Sequence, residues 1–292
     1  MKQIEVLKDR SASQVYRLAG TGPDGSNVVA KRCPRPGALV ERTIYQEVLH
    51  RLPGRSLRYY GLFEEHASDF CWVFVEDAGG VVYSPTVAHH GRLAAQWLAG
   101  LHTGARGFAR ALDLPDRGPG HYLGYLRSAR DRIRDSLDDP ALSQSDRGTL
   151  AGIVRQCDAA EDLWWRIEDC CAAAPQTFVH ADLHAANIHV SSDGNTLLPF
   201  DWESAGWGPP AIDLGLAGLD LGAYLSAVRT AWPDVEFGLI QRLAVVGRVF
   251  QLIAHIEWEA RGLATPWPYR PMKHMTYYLA EMAEALQAAE RL

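Results

Sequence analysis

Short alternating runs occupy the front of the chain and long apolar stripes the back. Within the first eighty residues, "QIEVL", "SQVYRLAG", "SNVVAKRC", "LRYYGLFEE" and "FCWVFVED" alternate apolar and polar positions or concentrate β-branched and aromatic residues. Each is a strand with one buried face. "TGPDG" joins the second run to the third, and its residues each favour a turn for a backbone reason of their own. Between the third and fourth runs, "ALVERTIYQEVLHRL" places Leu39, Ile44, Val48, Leu49 and Leu52 near helical spacing and predicts a helix. Ala78-Gly79-Gly80, after the fifth strand, reads as a hinge.

From about residue 86 the period lengthens. The spacing predicts helices over 88–102, 121–137, 145–170, 211–230, 236–260 and 272–291. One interruption stands out. "QTFVH" and "TLLPFDW" are strand-like, and between them lie "ADLHAANIHV" and the turn "SSDGN". Pro209-Pro210 and "TPWPYRP" mark loops between the last helices. The expected architecture is α+β and bilobal, with a small antiparallel β-rich N-terminal lobe over residues 1–77 and a larger, mainly helical lobe over 78–292.

Composition narrows the class. A chain of 292 residues with 47% apolar and 22% charged residues suits one bilobal domain or two small ones. A net charge of −6 argues against a nucleic-acid grip, which needs clustered Lys and Arg, and is compatible with a cationic small substrate. The five cysteines show no C-x-x-C spacing and two are adjacent, so a reducing compartment is the natural reading. "MKQIEVLKDR" has no apolar core of a secretory signal. The longest apolar runs are broken by Asp213 and Asp220, or by Arg242 and Arg248, and read as buried soluble helices. The expectation is a cytoplasmic protein with no membrane and no obligate protein partner.

The chemistry concentrates in "FVHADLHAANIHV", residues 178–190. Phosphoryl transfer needs a carboxylate to orient the attacking hydroxyl, oxygen ligands for Mg²⁺ and a cation on the nucleotide phosphates. Asp182 and Asn187 in one tight loop can serve the first two needs, and Asp201, at the end of the apolar run "TLLPF", supplies a second metal-side acid. The word "HADLH" also carries a faint likeness to metallohydrolase clusters. No second His-rich word completes such a site.

His180-x-Asp182-x4-Asn187 resembles the catalytic-loop pattern of kinases, and "FDWESAGWGPPAIDLG" resembles the metal segment of the aminoglycoside phosphotransferase and choline kinase superfamily. The resemblance implies a protein-kinase-like fold and an ATP- and Mg²⁺-dependent kinase of a small-molecule hydroxyl, with GTP an open alternative donor. It implies that Asp182 is the catalytic acid-base group and that Asn187 and Asp201 hold the metal. Lys31 in "VVAKR" would hold the phosphates, with Glu47 as its partner. The backbones of Glu76 and Ala78 would meet the base. Ser11 and Ser13, in a turn "DRSASQVY" that has no glycine, would approach the phosphates. His180 and Asp213 would support the loop. The acceptor would meet acidic and aromatic side chains, with Glu203, Trp207, Glu257 and Trp258 as candidates, and would be an aminoglycoside-like or other aminated compound, or a choline- or sugar-type metabolite. A nucleotide-binding pseudokinase is the further alternative, although Lys31, Asp182 and Asp201 are all present.

Overall fold

All five strands expected at the front of the chain form, and they make one sheet. The computed structural model describes residues 3–10, 13–52, 54–104, 112–264 and 269–292. In chain order the elements begin with β1 (Ile4–Arg10), β2 (Ser13–Leu18), β3 (Val28–Pro34), α1 (Arg35–Thr43), β4 (Tyr59–Glu64), β5 (Phe70–Glu76), β6 (Val81–Val82) and α2 (Ala88–Gly104). They continue with α3 (Pro119–Ser136), α4 (Gln144–Asp162), α5 (Trp164–Ala172), β7 (Thr177–Val179), β8 (Ile188–Val190), β9 (Leu197–Pro199) and β10 (Gly206–Gly208). The last four are α6 (Ala211–Leu214), α7 (Leu221–Val228), α8 (Phe237–Ala260) and α9 (Tyr269–Ala289). The order is the α+β one expected: an antiparallel sheet, then a mainly helical remainder.

Two compact units emerge, and each is discontinuous in sequence. The first comprises Met1–Pro115, Thr177–Gly206 and Ala217–Ala231; the second comprises Asp116–Gln176, Trp207–Leu216 and Trp232–Leu292. In the first unit the sheet runs β1-β2-β3-β5-β4. One face carries Arg32 and Trp72, directly paired across β3 and β5. Glu65 accepts hydrogen bonds from both, at 2.6 and 2.7 Å. The other face carries Cys33, Cys71 and Val73, all buried. A small sheet β6-β8-β9 also belongs to this unit. Residue 78 falls inside it because β6 pairs with β8, not with the strands before it.

The helix predicted from "ALVERTIYQEVLHRL" forms as α1 but does not stay regular. A widened π turn over Ile44–Val48 and a 3-10 turn over Leu49–Arg51 complete it. Its buried residues are Ala38, Glu41, Ile44, Tyr45, Val48 and Leu49. Fully burying Ile44 and Val48 contributes roughly 1.5–3 kcal/mol each.

In the second unit α8 is central, packing against α3, α6 and α9. It is long and apolar enough to cross a membrane by length and composition, with a mean hydropathy of 1.4, yet half of that window is buried inside the protein. Gly247 lets α6 approach it, since a Cβ there would lie 1.8 Å from the carbonyl of Ala211. Two predicted helices are divided. The 145–170 stripe breaks at Leu163, which leaves helical dihedrals at φ −92° and ψ 0°. The 211–230 stripe breaks after Leu214, where Gly218 adopts φ +76° and Asp220 starts α7 by accepting the Ala223 N–H.

Candidate active site

Lys31 sits on β3 with its ammonium gathered by three carboxylates of the first unit. Its Nζ lies 3.0 Å from Glu41 Oε2 and 2.8 Å from Glu203 Oε2, and it also pairs with Asp201 Oδ1. Burial favours the neutral amine, but the charges of Asp201, Glu41 and Glu203 outweigh it and hold the pKa well above its ordinary value. Burial raises the Glu41 carboxyl to about 6, with Lys31 pulling the other way. Burial acts on Asp201 in the same sense, yet its ion pair with Lys31 wins and its pKa is lowered.

The route of the chain explains the convergence. Asp201 follows β9 in a left-handed conformation, φ 70° and ψ 61°, which a non-glycine residue adopts only under local compulsion. Trp202 follows it directly. Its indole is fully buried, 6.0 Å from the ring of Phe178 and 4.4 Å from that of His180. A single 3-10 turn over Trp202–Ser204 then brings Glu203 beside Asp201. Gly37 on α1 accommodates it, because a Cβ there would stand 3.0 Å from Glu203 Cβ.

The loop from β7 to β8 is braced in a similar way. Ala181 has φ 65°. Buried His180 accepts the Asp182 N–H at Nδ1, 3.3 Å, and donates from Nε2 to the carbonyl of Phe200, 3.1 Å. One ring thus ties the Asp182 loop to the residue before Asp201. Asn187 Nδ2 donates to the Asp182 carbonyl, 3.0 Å, and to its carboxylate, 3.1 Å. Among the described residues no hydrogen bond uses Asn187 Oδ1. Asp182 is one-third exposed at 34%. Burial, then the charges of Asp201 and Glu203, raise its pKa well above the ordinary carboxylate value, against Lys31 and Asn187. His184 accepts the Ala186 N–H at 3.2 Å and caps the turn over Ala185–Asn187.

A strand lysine, a braced Asp-Asn loop and a post-strand Asp now share one unit, and a family model fits them. The phosphotransferase enzyme family (APH) matches residues 3–239. The chain belongs to that family. Solved structures share its protein-kinase-like fold. Spectinomycin phosphotransferase, in complex with ADP and spectinomycin, has a TM-score of 0.65 at 12% identity, covering 99% of this chain and 93% of that one. Choline kinase from Cryptosporidium parvum gives 0.64 at 14% identity, covering 98% and 90%. Macrolide 2'-phosphotransferase from Brachybacterium faecium gives 0.62 at 16% identity, covering 94% and 91%. No curated protein matches the sequence.

In this phosphotransferase one expectation needs correcting. Glu47 does not pair with Lys31; it is half-exposed and pairs with Arg51 at 3.1 Å. Glu41 takes the place. The α turn that carries Glu41 and the wider π turn that carries Glu47 leave the two side chains on different sides of the segment, so both do not face the sheet. The signal was in the sequence: Glu41 falls on the apolar stripe with Ala38, Ile44 and Val48.

The remaining residues divide. Ser13 is buried and its hydroxyl has no hydrogen-bond partner among the described residues; Ser11 lies outside them. The carboxylate of Glu76 is held by Arg55 at 2.6 Å and by the Arg58 N–H at 3.1 Å. Ala78 follows Asp77, which accepts from Arg17 at 2.7 Å. His189 donates to the Gly79 carbonyl at 2.6 Å. Gly80, at φ +63°, passes so close to β8 that a Cβ would meet the Val190 carbonyl at 2.0 Å. The crossover is therefore fixed on both sides. Trp207, Asp213, Glu257 and Trp258 belong to the second unit. Trp207 accepts the Arg117 N–H at its carbonyl, 2.8 Å. Asp213 is fully buried in α6. Glu257 is buried and bound by Arg261 at 2.6 Å, whereas Trp258 is 48% exposed with the Arg261 guanidinium 5.5 Å from its ring.

Proposed function

We propose that this phosphotransferase moves the terminal phosphoryl group of ATP, with Mg²⁺, to a hydroxyl of an aminated small molecule. The observation that carries this reading is the Lys31 cluster beside the Asp182–Asn187 pair. Asp182 is exposed enough to meet an acceptor hydroxyl, and its raised pKa makes it a stronger base than an ordinary carboxylate. It would orient the hydroxyl and take its proton as the oxygen attacks phosphorus. Lys31 would hold the α and β phosphates, and Glu41 would keep its ammonium aimed. Ser13 and the backbones of Glu76 and Ala78 would complete the nucleotide contacts.

The donor set fits magnesium. It is made of hard oxygens, with Asn187 Oδ1 uncommitted and several carboxylates around a single ammonium. Asn187 and Asp201 would hold the ion, and Glu203, bound to the same lysine as Asp201, is a further acid at the cluster. The ion would shield charge on the transferring phosphoryl group.

An amine-bearing acceptor is supported by the net charge of −6 and by the ligands or names of fold neighbours, which include spectinomycin, kanamycin, choline and ethanolamine. One of those neighbours was solved with GDP, so the donor assay includes GTP. A cytoplasmic location agrees with five buried, unpaired cysteines. The test is ADP or GDP release with a panel of aminoglycosides, choline, ethanolamine, macrolides and neutral sugars. Release with amines and none with neutral sugars is the expected result. Tight Mg·ATP binding with no release on any acceptor would favour the pseudokinase reading.

A further inference from the structure

The glycine-free turn between β1 and β2 leaves a question about what meets the phosphates beyond Lys31. The sheet register answers it. Antiparallel partners share a face, and Lys8 pairs with Val15, which pairs in turn with Lys31. Lys8 and Lys31 therefore point to the same side of the sheet, two strands or roughly 10 Å apart. This is not automatic. The register shifts by one residue between Val6 and Lys8, and without that bulge Lys8 would face the Tyr16–Trp72 side.

Ser13 lies two residues before Val15 on β2, so it shares that face, and its buried hydroxyl has no partner among the described residues. Lys8 itself is half-buried and makes no ion pair among the described residues, although three carboxylates converge on Lys31. Its charge acts on Asp201 and on His184. Among the described residues, an ammonium without an ion pair and a hydroxyl without a hydrogen-bond partner thus lie on the Lys31 face of β1 and β2.

We propose that Lys8, turned onto the Lys31 face by the β1 bulge, is a second phosphate-binding cation that works with Ser13 where a glycine-rich turn would otherwise offer backbone N–H groups. This rests on the phosphotransferase reading of the Lys31 cluster. A lysine suits the place because a point charge on a flexible stem can follow a phosphate without requiring φ > 0 in the turn.

Calorimetric binding of Mg²⁺ with a non-hydrolysable ATP analogue, of ADP and of adenosine tests it, on wild type, Lys8→Met, Lys8→Gln and Lys8→Arg. Lys8→Met and Lys8→Gln should weaken the ATP analogue about tenfold. ADP should weaken less and adenosine not at all, while Lys8→Arg keeps most of the affinity. Analogue binding within twofold of wild type in both neutral variants overturns the proposal. Equal loss for adenosine also overturns it, since the strand and not the charge would then be at fault. A wild-type chain that binds no analogue at all would instead remove the reading of the whole site.

Discussion

The Lys31 cluster of the first unit gathers charged groups from separate stretches of the chain, whereas the buried acid of the second unit's longest helix, Glu257, meets its partner Arg261 at the end of that same helix. Lys31 reaches Asp201 across 170 positions, and Glu41 and Glu203 join from two further segments. Glu257 reaches Arg261 one helical turn away, and Arg130 binds Asp158 and Glu161 on the neighbouring helix. The backbones differ too. Ala181 and Asp201 are left-handed in the first unit, and no non-glycine residue described in the second has positive φ. Local pairs stabilise a helix by a few tenths of a kcal/mol and need no other explanation. A buried, convergent cluster on strained backbone costs desolvation that an apolar core would avoid. The proposed phosphoryl transfer would account for that cost.

The comparison breaks most visibly at the two acids that typify each region. Asp182→Ala should lower turnover by about 10²–10⁴-fold while affinity for Mg·ATP changes little. Glu257→Gln should leave that affinity alone and instead lower the unfolding free energy by about 1 kcal/mol, more than an exposed i,i+4 pair because Glu257 is buried but limited by solvent screening of the half-exposed Arg261. Steady-state kinetics and urea unfolding on the two variants separate the effects. Full turnover in Asp182→Ala would end the catalytic assignment. A Glu257→Gln protein as stable as wild type would show that the second unit's pairs are not structural either.

Much of the first unit was legible because its signals are local. Five strands follow from alternation, and the resemblance of two short motifs to those of the family singles out His180, Asp182, Asn187 and Asp201. What escaped depends on tertiary detail. Trp202 draws no reading from the sequence, yet its indole is buried against Phe178 and His180 next to the left-handed Asp201. Glu203 reads as a residue for the acceptor, but it shares Lys31 with Asp201. The break after Leu214 was hidden because the apolar positions keep recurring on both sides of Gly215 and Gly218. The face of Lys8 depends on one bulged residue, which no alternation pattern announces.

Glu41 and Glu47 sharpen the same contrast within a single helical segment. Glu41 is convergent, buried and bound to Lys31; Glu47 is exposed and bound to Arg51 by an i,i+4 pair. Removing the charge from Glu41 frees Lys31 from one of its guides without deleting the side chain. Glu41→Gln should raise the KM for ATP about tenfold, on the scale of one hydrogen bond to a charged group. Glu47→Gln should move neither KM nor kcat, and stability by less than about 0.5 kcal/mol. If Glu47→Gln is the variant that loses ATP, the pairing seen at Lys31 does not persist in the working enzyme.

The smallest expected effect concerns a titrating group of the second unit that serves the fold. His121 packs against Tyr125 at 4.3 Å between ring centroids, and its Nε2 accepts from Arg117 at 3.2 Å. Burial, then the Arg117 charge, lower its pKa to about 4, with Asp116 opposing. The unfolded chain would titrate this ring near 6.5. Between those values the unfolded state holds a proton that the folded state refuses, so stability is complete above about pH 6.5 and is lost as pH falls towards 4. Because the ring is partly exposed, solvent screening reduces the loss to about 1–2 kcal/mol. Urea midpoints at pH 7 and pH 4.5 should therefore differ by less in His121→Gln, which keeps a neutral acceptor for Arg117, than in wild type. Equal acid losses in the two proteins would move the proton linkage elsewhere, with His184 of the first unit, whose ring burial likewise holds below its ordinary value, the next group to examine.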